Sequence, residues 1–383
     1  VIDPDLDRIA VLGKGKFHNA ARALHRFVHR EGKTLPIPIS TTPLTIRKKG
    51  GGCMDVNYPI LRLSDWMKFI LGEAGGQFLL AGHHTWDTAG FSKVFERFWP
   101  NFRSADPSHD IYTRKSVNQR CYTIPLCLHG DEGRGLAKVP VMITNFQCVV
   151  PWMGEDHVNT HGPRRSEHSF ATRLLHSILP ASCYAPNDIT IDGIHSAIAE
   201  ELIELFENGL TVQVGDKQIT VFVALIATKG DWPYVRKAYH LQTGFASTRI
   251  CHLCPGDEWW DCGPASQLRT YEGANPSPFK RKFSPLRSVP GGANPNRIQP
   301  DIMHCMNLGF GKDLCASSIL LLCCLGEFPG SSIKTQLDDA YNQFHSWCRQ
   351  SGKTSSLKCF ELKTFKVTSQ PGCGFAPKFQ IRA

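Results

Sequence analysis

The sequence predicts an α/β fold, a mixed sheet flanked by helices. Three observations carry that expectation. The run Val221–Thr228, VFVALIAT, is apolar at nearly every position, as a strand covered on both faces would be. Upstream of it, Ile194, Ile198, Leu202, Leu205 and Phe206 recur at helical spacing, with Asp192 as the expected N-cap and Asn208-Gly209 as the stop. Two further strand-like runs, Arg120–Leu128 and Val139–Val150, flank the Gly-rich stretch GDEGRG and read as a hairpin.

Between the helix and the buried strand, Leu210–Val214 and Gln218–Val223 flank Gly215-Asp216, a tight-turn signal. The buried strand ends at Lys229-Gly230-Asp231, and Arg120–Leu128 runs into His129-Gly130-Asp131. A carboxylate just past the end of a buried strand can hold a cation that the core would not tolerate. Each aspartate also has an ordinary reading as a turn residue, and Glu132 stands beside Asp131 as an alternative ligand.

In chain order, residues 1–56 read as a basic, extended lead-in with one short helix over Asn19–His29 and a Pro- and Gly-rich connector. Residues 57–117 read as a small helical region, with a helix from Ser64 to Leu71 and another from Gly90 to Trp99. His83, His84 and Asp87 lie together in it, a weak metal signal. Residues 118–255 carry both aspartate strands, with an irregular insertion and one helix near Ser169–Ile178. Residues 256–299, rich in Gly, Pro and basic residues, read as a loop insertion. Residues 300–383 form a C-terminal helical part, with a stripe of Leu337, Tyr341, Phe344 and Trp347.

The formal charge of +9 on 383 residues favours an anionic partner, nucleic acid being the commonest. With no run of 18 apolar residues, no membrane span is expected; SILLLCCLG reads as a buried helix. The fifteen cysteines are scattered, several inside apolar runs (Cys148, Cys315, Cys323, Cys324) where Cys acts as a small hydrophobe. That pattern fits a reducing compartment with few disulfides. Cys251-x-x-Cys254 has the spacing that lets two thiolates share one zinc, but it is half a site. Asp301 and His304, three apart after Pro300, fall on one face of an expected helix.

Two strand-end carboxylates on neighbouring strands can share divalent ions that activate a water or a 3′-hydroxyl for phosphodiester transfer. Taken in order, LHGDEGRGLAKVPVMI, ELFENGLTVQVGDKQITVFVALIATKGD, TGFASTRICHLC and DIMHCMNLGFGKDL resemble the transposase domain of CACTA (En/Spm, Tnp2-like) DNA transposons. The resemblance covers about half of the chain, from roughly Leu128 to Asp313. It implies an RNase H-like sheet of the DDE superfamily, broken by a Cys-rich zinc-knuckle insertion and preceded by a small helical region. It implies Asp131 and Asp231 as catalytic ligands of Mg²⁺ or Mn²⁺, and Cys251 and Cys254 as structural Zn²⁺ ligands. His304 would be either a further ligand or a residue beside the metal centre. The third acid is left open: Glu361 is one candidate, with Asp338, Asp339 and Glu327 as others. Leu308-Gly309 stands where the family pattern has Glu-Gly. Arg236, Lys237, Arg249, Lys280, Arg281 and Lys282 would contact DNA phosphates. The activity implied is DNA cleavage and strand transfer at transposon ends, in the nucleus, by a protein able to self-associate. The alternatives are an inactive DNA-binding derivative and a zinc-containing interaction protein.

Overall fold

The computed structural model describes residues 7–9, 11–12, 20–32, 34, 36–134, 139–150, 172–243, 252–253, 277–363 and 365. The first helix, α1 (Ala20–Arg30), lies where the sequence placed it. Next comes a hairpin of β1 (Ser40–Arg47) and β2 (Cys53–Ile60), where an extended connector was expected. Two strands suffice here because Pro43 and Pro59 lie in a two-stranded ribbon, where a missing N–H costs no sheet bond on the outer side. Gly51 and Gly52, both at positive φ, close it. Leu44 is buried against the position of Gly193.

Helix α2 (Leu63–Gly72) buries Leu63, Met67, Ile70 and Leu71. Glu201 accepts from the Leu63 and Ser64 backbone N–H groups, satisfying two donors of its first turn. Helix α3 (Thr88–Ala105) is capped by Asp87, whose side chain accepts from the Gly90 N–H; it sends Phe91, Phe95 and Trp99 into the core.

The main sheet has the order β5-β4-β3-β7-β6, with β8 also paired to β7. Strands β3 (Thr123–Arg134), β4 (Pro140–Cys148) and β5 (Arg173–Pro180) form an antiparallel meander. Helix α4 (Ile189–Glu207) leads to β6 (Leu210–Val214), which turns into the long β7 (Lys217–Gly230). β7 runs parallel to β3. After α5 (Trp232–Ala238), β8 (Ile298–Pro300) pairs parallel with the end of β7. The sheet is therefore mixed and flanked by helices, as the sequence predicted. One continuous core runs from Leu44 to Ile298 and includes both the hairpin and α2–α3.

Several local expectations are overturned. Residues 173–178 are the edge strand β5, not a helix. Leu174, Leu175, Ile178 and Leu179 fit either period, and pairing with β4 decides. Asp192 does not cap α4, which starts at Ile189; it sits in the first turn, bonded to His240 and Lys282. β3 continues to Arg134, so Asp131 lies within a hairpin rather than beyond a strand end.

Residues 303–350 are mostly helical. A π-helical segment (Met303–Phe310) leads into α6 (Gly311–Cys324), followed by α7 (Ile333–Gln350). Ser332 and Thr335 form a capping box on α7. Ala316, Leu320, Cys323, Leu337, Ala340, Phe360 and Phe365 make a second small core. The expectation of a buried SILLLCCLG helix fails on one side: Leu321, Leu322 and Leu325 are exposed, as are Cys315 and Cys324. The run Met303–Cys324 is long and apolar enough, by length and composition alone, to cross a bilayer, and 18% of it is buried. A break at Gly309 interrupts it, and Lys312 and Asp313 lie within it.

Candidate metal centre

The parallel register of β3 and β7 ends at the pair Gly130↔Gly230. The next residue along each chain is an aspartate: Asp131 stays in β3, paired with Ile143 of β4, and Asp231 leaves the end of β7 beside it. The close approach needs glycine on both strands. A Cβ on Gly130 would enter the Tyr234 ring, and one on Gly230 would strike both that ring and the Gly130 carbonyl oxygen. Asp231 is also the N-cap of α5, its Oδ1 accepting from the Tyr234 N–H at 2.8 Å.

A third element arrives through β8. Its pairing ends at Gly230↔Pro300, and the Asp301 N–H donates to the Gly230 carbonyl at 2.9 Å. The helical segment that follows carries His304 to the two aspartates. One ligand atom from each of Asp131, Asp231 and His304 lies within 4.8 Å of the others, and all three side chains are half-buried. The structure groups His304 with the two aspartates; its expected pairing with Cys251 and Cys254 falls on residues outside those described.

The electrostatics of this corner could accommodate a cation. Burial raises Asp231 above the usual carboxylate range; the Tyr234 N–H opposes that and the nearby Asp131 carboxylate adds to it. Two carboxylate charges at this separation repel by on the order of 3 kcal/mol at an effective dielectric of about 20, before screening. His304 Nδ1 and Asp301 Oδ2 are 2.9 Å apart. Burial pushes Asp301 up, but the bonds from His304 and the Met303 N–H outweigh it and hold the carboxyl low. An ionised Asp301 accepting from Nδ1–H leaves the Nε2 lone pair to act as a ligand, the carboxylate–histidine arrangement common behind metal-bound imidazoles. Two carboxylate oxygens and one imidazole nitrogen fit a divalent cation.

Side chains alternate along β3, so Glu132 lies on the opposite face from Asp131. There it accepts from the Tyr184 hydroxyl at 2.7 Å and from Lys237 Nζ at 3.0 Å. Burial, then the bond to Glu132, raises the Tyr184 hydroxyl. Glu132 is therefore committed to a cross-link between β3, α5 and the turn after β5, and does not substitute for Asp131.

The remaining sequence-level residues fall elsewhere. Glu361 pairs with Lys363 beside the second small core and does not join the ligand group. Glu327 and Asp338 are exposed, and neither they nor Asp339 enter it among the described residues. Cys251, Cys254 and Arg249 lie outside the described residues. Between the two cysteines, His252 is buried, with Nε2 2.8 Å from the Ile298 carbonyl and its ring against Trp232. Arg236, Lys280 and Arg281 are exposed. Lys237 is paired with Glu132, and Lys282 is bonded to Asp192 and the Asn187 carbonyl. The His83–Asp87 contact of 2.8 Å belongs to the α3 cap.

Sequence reasoning missed His129, Lys229 and Asn145. His129 pairs with Lys229 on one side and Asn145 on the other. Burial, with Arg173 and Lys229 nearby, pulls His129 down to about 4, so it is neutral. A period-2 count back from Asp131 and Asp231 reaches His129 and Lys229, and that signal was in the sequence. Neither a scan against protein-family models nor a search of curated proteins returns a match to this chain.

Proposed function

We propose that this protein is a metal-dependent nuclease-type enzyme that cuts and joins DNA strands, a DDE-type transposase built on an RNase H-like sheet. The observation that carries the reading is the convergence of Asp131 on β3, Asp231 just past β7 and His304 in the helical segment after β8. The strand plan supports it too. An antiparallel meander, followed through a helix and the β6–β7 hairpin by a strand parallel to the first on its other side, supports an RNase H-like sheet with β6 as an added antiparallel edge strand.

In this reading Asp131 and Asp231 hold Mg²⁺ or Mn²⁺, with His304 as a third ligand. The bound cation would supply activation of a water or 3′-hydroxyl and stabilisation of the leaving oxygen. The chain's own part is positional. Gly130 and Gly230 let the strands close, the Tyr234 N–H fixes the Asp231 carboxylate, and Asp301 orients the His304 ring.

The test is nicking of supercoiled plasmid and joining of 3′-hydroxyl duplex ends with Mg²⁺ or Mn²⁺. Activity lost in both Asp131→Asn and Asp231→Asn supports the enzyme. A wild-type protein that binds the cations and leaves DNA intact refutes it.

A second reading is a DNA-binding derivative without cleavage. The observation favouring it is that the third member of the ligand group is an imidazole rather than a carboxylate. Salt-sensitive DNA binding without nicking is its signature.

A further inference from the structure

Two residues back from the aspartates, the same sheet face carries a row of a different character. Lys229 on β7, His129 on β3 and Asn145 on β4 are register neighbours. At about 3.3 Å per residue, this row lies roughly 7 Å along the strands from Asp131. Lys229 reaches across β3, and its Nζ donates to Gln147 Oε1 on β4 at 2.8 Å. Gln147 is itself the register partner of Arg173 on β5, so Arg173 stands one strand beyond the amide that Lys229 reaches. Arg173 is exposed and Lys229 half-buried, and neither pairs with a carboxylate among the described residues.

Two features separate this row from an ordinary solvated surface. Most of the other lysines singled out near the sheet are neutralised: Lys237 by Glu132 and Lys282 by Asp192. In addition, Lys229 and Arg173 both lie near enough to His129 to act on its charge, so the two cations occupy one patch of this face.

We propose that Lys229 and Arg173 form a phosphate-docking row that holds the backbone of the substrate strand next to the acidic centre. The inference rests on the DNA-cleaving reading above and adds to it the track of the substrate across β7, β3, β4 and β5. It also answers an electrostatic need: Asp131, Asp231 and Asp301 would repel a polyanion, and cations within a Debye length of about 10 Å offset them.

The experiment is fluorescence anisotropy of the full chain with a labelled DNA duplex and the matching single strand, in EDTA, from 50 to 200 mM salt. Lys229→Gln and Arg173→Gln should each weaken binding about 3–10-fold and lower the slope of log affinity against log salt by about one. Lys229→Arg should restore both, and Lys353→Gln, on the exposed segment after α7, should change neither. Arg173 is exposed, so its variant reports binding even where Lys229→Gln perturbs folding. Unchanged slopes in both Gln variants, with wild-type protein binding DNA, overturn the docking row and leave the cleavage reading in place. A wild-type protein that neither binds nor nicks DNA overturns both.

Discussion

Gly130 and Gly230 face each other at the last rung of the β3–β7 ladder, and neither position has room for a side chain. The candidate metal centre depends on that contact. It sets Asp131 beside Asp231, and the Gly230 carbonyl then receives the Asp301 N–H that leads the third ligand in.

Gly230→Ala should therefore be among the most damaging small substitutions in the sheet. Its Cβ meets backbone on one side and the buried Tyr234 ring on the other. Overpacking of this kind costs about 1–3 kcal/mol, occasionally more. Urea unfolding of wild type and variant measures it. Gly133→Ala, at an open position of the same hairpin, should stay within about 0.5 kcal/mol.

Asp231→Asn separates charge from structure. Asparagine caps a helix as well as aspartate does, so the bond from the Tyr234 N–H survives while the repulsion with Asp131 goes. The metal-free variant should melt at the wild-type temperature or above it. Adding Mn²⁺ should raise the melting temperature of wild type and leave the variant unmoved. Thermal melts with and without Mn²⁺ decide it, and an equal Mn²⁺ response in both proteins would rule out Asp231 as a ligand. Glu361→Gln should respond as wild type does.

An imidazole ligand should bias the site. Nitrogen donors suit Mn²⁺ better than the hard, strongly hydrated Mg²⁺. His304→Ala should weaken Mn²⁺ binding by about tenfold or more and Mg²⁺ binding less. Asp301→Asn, which leaves the ring present but no longer held by a carboxylate, should cost about 10-fold in Mn²⁺ affinity. Calorimetric titration of each ion into each variant gives the ratios.

The stability of the fold should fall steeply in mild acid. Burial pulls His109 and His176 down to about 4 and His195 to about 3. His109 shows why in its bonds: Nδ1 accepts from the Ile111 N–H, so Nε2–H donates to the Leu225 carbonyl, and the ring is held neutral. These folded values lie below the unfolded value of about 6.5, so the unfolded chain takes up protons first as pH drops. This contribution is present above about pH 6.5 and is lost between there and about pH 3. With His129, which burial also pulls down to about 4, four protons give a maximum slope of about 5 kcal/mol per pH unit. Urea midpoints at pH 7.5, 6.5 and 5.5 should show the fall beginning below 6.5, and a flat profile would mean that these rings are not buried neutral.

How far the sequence could be read depended on whether a pattern had one structural meaning. The all-apolar VFVALIAT had one, and β7 is there. Ser332 with its stripe of Leu337 and Tyr341 had one, and α7 is there. RLLHSILP had two, because its apolar pairs satisfy both the helical and the strand period, and only the open edge of β4 made it β5. STTPLTIR was passed over for its proline, which an isolated ribbon tolerates.

The site divides the same way. Local chemistry in the sequence determined that each of two buried apolar runs leads into a Gly-Asp pair and that Asp301 and His304 share a helical face. Those are facts about neighbours in the chain, and short-range sterics and periodicity suffice for them. Which ligands meet was decided only by tertiary structure. Parallel register joins residues about a hundred positions apart, and the sequence carries no local signal for it: the pairing is set by how the whole core packs around Tyr234 and the two glycines. The same packing gave Glu132 its partners Lys237 and Tyr184, and placed Lys229 and Arg173 on one face of the sheet, on strands where no spacing rule would have paired them.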